Sequence, residues 1–192
     1  MSNAKHKEYS IALHPVDDVF NLPIYTSDEP TFNEVAPGDE SGRLRMRANI
    51  EKFEQFLVQV SNDFGDGNEM DRINEDGLVE HFIGGAYVRE LFIPKDRFIV
   101  SRIWSKPRMW IIVSGEVTFT TEMGSQRVRG PLTKHVEPGS KVALYTHEDT
   151  LWFAITGAES VDSESVKEEV TVNDYSDFIY PWDNNSMLEV VK

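Results

Sequence analysis

The sequence has no cysteine. That excludes a disulfide framework, a thiolate nucleophile and a zinc–thiolate site, and it is compatible with a reducing, intracellular setting. Basic residues are scarce: 19 Lys+Arg stand against 33 Asp+Glu, a formal net charge of −14. Like charges repel, which argues against general affinity for nucleic acid or an anionic membrane surface. No apolar run approaches the roughly 20 residues that span a bilayer, and the N-terminus lacks the apolar region of a signal peptide. There is no Gly-rich phosphate loop, because Gly84-Gly85 and Gly124 lack the Lys-Ser/Thr context. Ser114-Gly115-Glu116 reads as a hairpin turn without the flanks of a nucleophile elbow. Arg127-Val128-Arg129 is too short for a nucleic-acid patch in so acidic a chain. No catalytic constellation emerges.

What is present suits one ordinary domain with extensions: 192 residues, 40% of them hydrophobic. The organising stretch runs from Tyr87 to Ile155. It is a train of short apolar segments cut by turn signals at Pro94–Asp96, Ser114-Gly115, Met123-Gly124 and Pro138-Gly139, the pattern of an all-β sandwich or barrel. Predicted strands are 78–83, 86–93, 97–104, 108–113, 116–121, 126–129, 133–136, 141–145 and 150–155. The division is an N-terminal arm over 1–47, a helix and loop over 48–77, a barrel over 78–157 and an acidic, aromatic tail over 158–192.

Within the arm, Pro15, Pro23, Pro30 and Pro37 interrupt any regular structure. Its few apolar residues, Phe20, Ile24 and Tyr25 among them, are candidates for contact with another chain; the alternative is a floppy terminus. Ile50, Phe53, Leu57 and Val60 recur at helical spacing, which predicts a helix over 49–61 capped by Asn49. Asp63, Asp66, Asn68 and Asp71 do not have the spacing of a calcium loop and read as a solvated loop. In the tail, Tyr175, Phe178, Tyr180 and Trp182 form an aromatic cluster that either covers the barrel's flank or docks on another protein.

Tyr87-Val88-Arg89-Glu90, Ile93-Pro94, Ile111 to Gly115, Pro138 to Lys141 and the run His147-Glu148-Asp149-Thr150-Leu151-Trp152 resemble a set of phage-encoded cupin-like proteins without a settled function. The resemblance covers the 78–157 core and the helix before it. It implies a mainly β fold: a single cupin-like double-stranded β-helix barrel with one preceding α-helix and extended N- and C-terminal segments. It also implies a source and a role. The expectation is a non-enzymatic virion or virion-assembly protein, located in the virion or in host cytoplasm during infection. Its partners are then copies of itself, as a homo-oligomer, and other virion proteins.

Where relatives carry metal-binding histidines, this sequence has Trp104, Lys106 and Arg108. An indole and two cations cannot replace neutral imidazoles, so no metal and no cofactor is expected. His6, His14, His81, His135 and His147 do not form a substitute set. Residues 89–141 instead contain ten Lys+Arg against five Asp+Glu, in a chain otherwise acidic. Arg102, Trp104, Lys106, Arg108 and Trp110 share a face if their strand is unbroken, which Pro107 puts in question. The alternative function is therefore a cupin that binds or transforms a small anionic ligand in the barrel. Candidate pocket residues are Arg102, Trp104, Lys106, Arg108, Lys141 and Tyr145.

Overall fold

A computed structural model describes residues 33–35, 38–64 and 77–178. Twelve strands and two α-helices lie within them. In chain order they are β1 (Asn33–Glu34), α1 (Glu40–Phe64), β2 (Leu78–Ile83), β3 (Ala86–Ile93), β4 (Phe98–Val100), β5 (Ile103–Trp104), β6 (Arg108–Ser114), β7 (Glu116–Thr121), β8 (Gly124–Arg129), β9 (Leu132–Val136), β10 (Ala143–Thr146), β11 (Thr150–Gly157), α2 (Ser163–Val170) and β12 (Thr171–Val172). A single 3-10 turn follows at Tyr175–Asp177.

One sheet runs β1-β8-β7-β10-β4 and the other β2-β3-β11-β6-β9. Without β1 and β2, eight barrel strands remain, four in each sheet: β3, β11, β6, β9 face β4, β10, β7, β8. That is the order of a jelly roll, the double-stranded β-helix. All pairings within the two sheets are antiparallel. The core fills the space between them with Ile93, Ile99, Trp110, Ile112, Val117, Phe119, Val136, Val142, Leu144, Trp152 and Ala154. Strand alternation selects these residues, since every second side chain must point inward.

Gly115 closes the β6–β7 hairpin with φ +94°, in the left-handed region. A Cβ there would stand 2.4 Å from Thr150 Oγ1 and 2.6 Å from the Asp149 carbonyl. Backbone freedom and close approach both demand glycine at this turn.

The helix starts nine residues before the predicted Asn49, and Asn49 lies inside it rather than at its cap. Asp39 does the capping: its Oδ1 accepts from the Gly42 N–H at 2.9 Å and from the Ser41 hydroxyl at 2.8 Å. The predicted boundary at residue 47 thus falls within α1. Ile50 and Phe53 are the helix's fully buried anchors, packed on Val100 and Ala143 of the β4–β10 edge. The Phe53 ring meets Phe98 edge-on at 5.4 Å. Phe20, Ile24, Tyr25, Tyr180 and Trp182 lie outside the described residues, as does the loop around Asp66.

The predicted strand 97–104 is divided. β4 pairs with β10, whereas β5 leaves that sheet and pairs with β12. Within the segment 158–192, the described residues fold back onto the barrel. Asp162 caps α2 by accepting from the Glu164 and Ser165 N–H groups. Val166 and Val170 are buried against Tyr87, Trp104 and Ala158. Tyr175, a predicted contact for another protein, lies under the Arg47 guanidinium of its own chain, 4.7 Å from the ring centre. Phe178 ends the described residues half-buried.

Candidate functional site: a cation-rimmed cavity in the barrel

Between the sheets lies a cavity of about 290 Å³. Strand parity decides what it contains. Tyr87, Arg89, Leu91 and Ile93 are alternate residues of β3 and all face it; so do Arg108 and Trp110 of β6, and Trp152 and Ala154 of β11. Ile99, Val142 and Leu144 complete an apolar floor. Ser101, Arg102 and Trp104 contribute from the β4–β5 segment, and Lys167, Val170 and Thr171 roof the cavity from α2 and β12. Among the described residues that line it, four are cationic and none is an imidazole or a carboxylate.

Arg108 is the most unusual of these. It is 3% exposed, at the start of β6, where its backbone pairs with β9 and β11. Its guanidinium lies 4.8 Å from the Trp104 ring centre and 5.4 Å from that of Trp110. Such stacking offsets part of the cost of removing the charge from water. Burial pulls its pKa down to about 9; the Glu122 carboxylate opposes that and Arg89 adds to it. At pH 7 the group is still cationic. Its Nη1 is buried with no hydrogen-bond partner, and so is Nε of Arg89. A buried donor left unpaired costs about 1–3 kcal/mol, more when charged. Glu122 is itself buried, its carboxyl pushed up by desolvation. It does not line the cavity, so its charge reaches Arg108 from outside.

The predicted pocket residues divide. Arg102, Trp104 and Arg108 line the cavity. Lys106 does not: the chain bends at Ser105-Lys106, and the Lys106 ammonium lies 2.5 Å from Glu169 Oε1 of α2. Lys141, two residues before β10, points away from the cavity, 2.5 Å from Glu54 Oε2 of α1. Tyr145 also faces outward; its hydroxyl donates to Asp96 at 2.8 Å, and its pKa is pushed up to about 12, chiefly by burial. The outward orientation follows from placing Val142 and Leu144 in the core. Arg89 was not anticipated, although it shares strand parity with Leu91 and Ile93. Lys167 had no comparable signal, because α2 was not foreseen.

The histidines are dispersed. His81 contacts Glu90 at 3.2 Å, His135 contacts Glu137 at 3.2 Å, and His147 Nε2 is 2.8 Å from Thr118 Oγ1. Among the described residues no group of three His, Asp or Glu side chains could hold a metal ion. The metal that a cupin resemblance implies does not fit this cavity, whose described lining offers no imidazole and no carboxylate.

The strand order, the single barrel and the preceding helix define a cupin-like double-stranded β-helix. No protein-family model and no curated protein matches the chain. Solved structures similar to it include three relevant examples. A Cupin 2 conserved barrel domain protein from Salinispora arenicola has 10% identity and a TM-score of 0.38, over 43% of this chain and 75% of that one. A cupin protein from Bacteroides fragilis has 17% identity and a TM-score of 0.38, over 46% and 83%. Ectoine synthase from P. lautus has 10% identity and a TM-score of 0.42, over 50% and 72%. Likenesses this distant carry no functional argument; the fold rests on the strand order itself.

Proposed function

We propose that the protein binds a small organic anion inside its barrel, using cations where metal-binding barrels use imidazoles. The carrying observation is the buried Arg108 side chain, which lines a cavity without a carboxylate: its guanidinium lies over two indoles, and its Nη1 has no hydrogen-bond partner. A carboxylate or phosphate oxygen would satisfy that donor with a charge-assisted hydrogen bond. Arg89, Arg102 and Lys167 add to the positive field. The reading is a binding module.

Thermal melting in the presence of acetate, phosphate, citrate or phenylacetate, at constant ionic strength, tests the proposal. A ligand that binds only the folded state raises its melting temperature in a saturable way. At least one of these anions should do so for the natural protein, with a smaller rise for Arg108→Lys and none for Arg108→Gln. No rise with any of the four, or equal rises in all three proteins, overturns the reading.

A second reading is assembly: a bacteriophage virion protein that associates with its own copies, as the sequence resemblance implies. What supports self-association is the outer face of the β2-β3-β11-β6-β9 sheet. Phe92, Met109 and Val113 are 49%, 46% and 43% exposed, and Phe92 and Met109 stand opposite half-buried Leu151 and Ile155 in register. Contiguous exposed apolar side chains mark interaction surfaces. Light scattering of the natural protein and of Phe92→Glu would separate the outcomes. Assembly predicts an oligomer that the charge dissociates; a monomer in both cases removes the support.

A further inference from the structure

We infer that the anion bound in this barrel is amphipathic, with one carboxylate at the arginines and an aromatic or similarly apolar body seated on Trp110 and Trp152. The inference rests on the anion-binding reading and specifies its ligand.

The cavity is divided by chemistry. Its deep wall is apolar: Leu91, Ile93, Ile99, Val142 and Leu144 line it. Trp152 and Trp110 pack edge-to-face at 4.8 Å, and Trp110 repeats that contact with Phe119 at 5.3 Å. These rings hold each other in place, so their cavity-facing surfaces form a rigid aromatic wall. The charged groups stand away from Trp152: along β11, Arg89 is opposite Ala154 and Arg108 opposite Thr156, and Arg102 and Lys167 also line the cavity, while the hydroxyls of Ser101 and Thr171 already donate to backbone carbonyls. Tyr87 adds no free hydroxyl there, because its OH donates to Glu80.

Each simpler ligand leaves one end unsatisfied. Phosphate or citrate would pair with the guanidinium groups but would leave apolar walls facing water or empty space. An uncharged aromatic molecule would cover the tryptophans but would leave Arg108 Nη1 buried without a partner, a costly state. Arg108 itself joins the two ends, since its guanidinium stacks on Trp110 while its unpaired nitrogen can donate. A carboxylate one or two bonds away from a ring satisfies both ends at once. The volume of about 290 Å³ lies at the small end of the range for organic-ligand pockets.

Isothermal titration of the full chain with four probes tests this: phenylacetate, acetate, citrate and benzyl alcohol. Phenylacetate should bind about thirtyfold or more tightly than acetate, because it buries a ring. It should also bind about tenfold or more tightly than benzyl alcohol, which lacks the charge. Arg108→Gln should weaken phenylacetate by on the order of ten- to a hundredfold and leave benzyl alcohol unchanged. Trp152→Leu, which keeps the wall apolar, should weaken phenylacetate and leave acetate unchanged. If acetate or citrate binds as tightly as phenylacetate and both depend on Arg108, the amphipathic class is wrong while the anion reading stands. If benzyl alcohol equals phenylacetate, or no probe binds, both fail. Circular dichroism of each variant confirms that it is folded, and Arg108→Lys serves if Arg108→Gln is not.

Discussion

The Lys106 ammonium lies 2.5 Å from Glu169 Oε1 and ties the start of the β6 strand to the α2 helix. Glu169 also accepts hydrogen bonds from the backbone N–H groups of Glu159 and Ser160. These contacts together hold its carboxyl far below the usual range. The two partners are therefore not equivalent. Lys106→Ala should lower the melting temperature slightly, as expected for a partly exposed ion pair. Glu169→Ala should lower it more, because two backbone donors lose their acceptor as well. Equal shifts would contradict the role given to Glu169.

The α1 helix is held to the barrel by a small apolar contact and by the Lys141–Glu54 pair. Phe53 is 1% exposed and sits at the centre of that contact. Phe53→Ala should cost about 3–5 kcal/mol, measured by urea denaturation. A deletion of residues 1–32 should leave the melting temperature nearly unchanged. Extending the deletion to residue 45 removes β1, the Asp39 cap and the first turn of α1, and should lower it clearly. The same melting temperature for both deletions would mean that Asp39 and Gly42 do not set the start of the helix.

Gly115 is the turn position where a side chain cannot be added cheaply. Its φ of +94° is strained for an L-residue, and an added Cβ would meet Thr150 and the Asp149 carbonyl below 3 Å. Gly115→Ala should therefore destabilise the fold by more than about 1 kcal/mol in urea denaturation, whereas Ala at a relaxed glycine often stabilises. A neutral or stabilising result would contradict the hairpin geometry.

His147 gives the protein a pH dependence whose direction can be stated. Burial, followed by the Arg127 guanidinium, holds its pKa below 6.5, against the opposing pull of Glu116, Asp96 and Glu148. The unfolded chain therefore binds the proton more readily than the folded one. Its contribution to stability is present above pH 6.5 and is lost as pH falls from there through the lower folded value. His147→Gln should flatten the curve of melting temperature against pH just below 6.5 and leave its slope above that value unchanged. An unaltered slope below 6.5 would exclude His147 as the source.

The sheets were legible because their inward and outward residues alternate. The predicted strands 78–83, 86–93 and 116–121 coincide with β2, β3 and β7. The first turns of α1 were not legible. Gly42 and the charges of Glu40, Arg43, Arg45 and Arg47 hide them; of the apolar Leu44 and Met46 between these charges, Leu44 is 55% exposed. The site was half legible. Arg102 and Trp104 reach the cavity from the β4–β5 segment and Arg108 from β6, on either side of the bend before Pro107 at which Lys106 turns to α2. Arg89 could have been found by extending the parity of Leu91 and Ile93. Lys167 could not, because it reaches the cavity from a helix that depends on tertiary packing of Val166 and Val170.

The central claim is that Arg108 receives the carboxylate of the bound anion. Side-chain NMR of the guanidinium groups during titration with phenylacetate tests it most directly. Arg129 serves as an internal control, because it already pairs with Glu148 and Glu116 on the outside of the barrel. The account predicts a saturable shift of the Arg108 signals, and of the Trp110 and Trp152 indole signals with them, while Arg129 stays in place. Movement of Arg129 with Arg108 unaffected would contradict it and would leave the barrel without an assigned ligand.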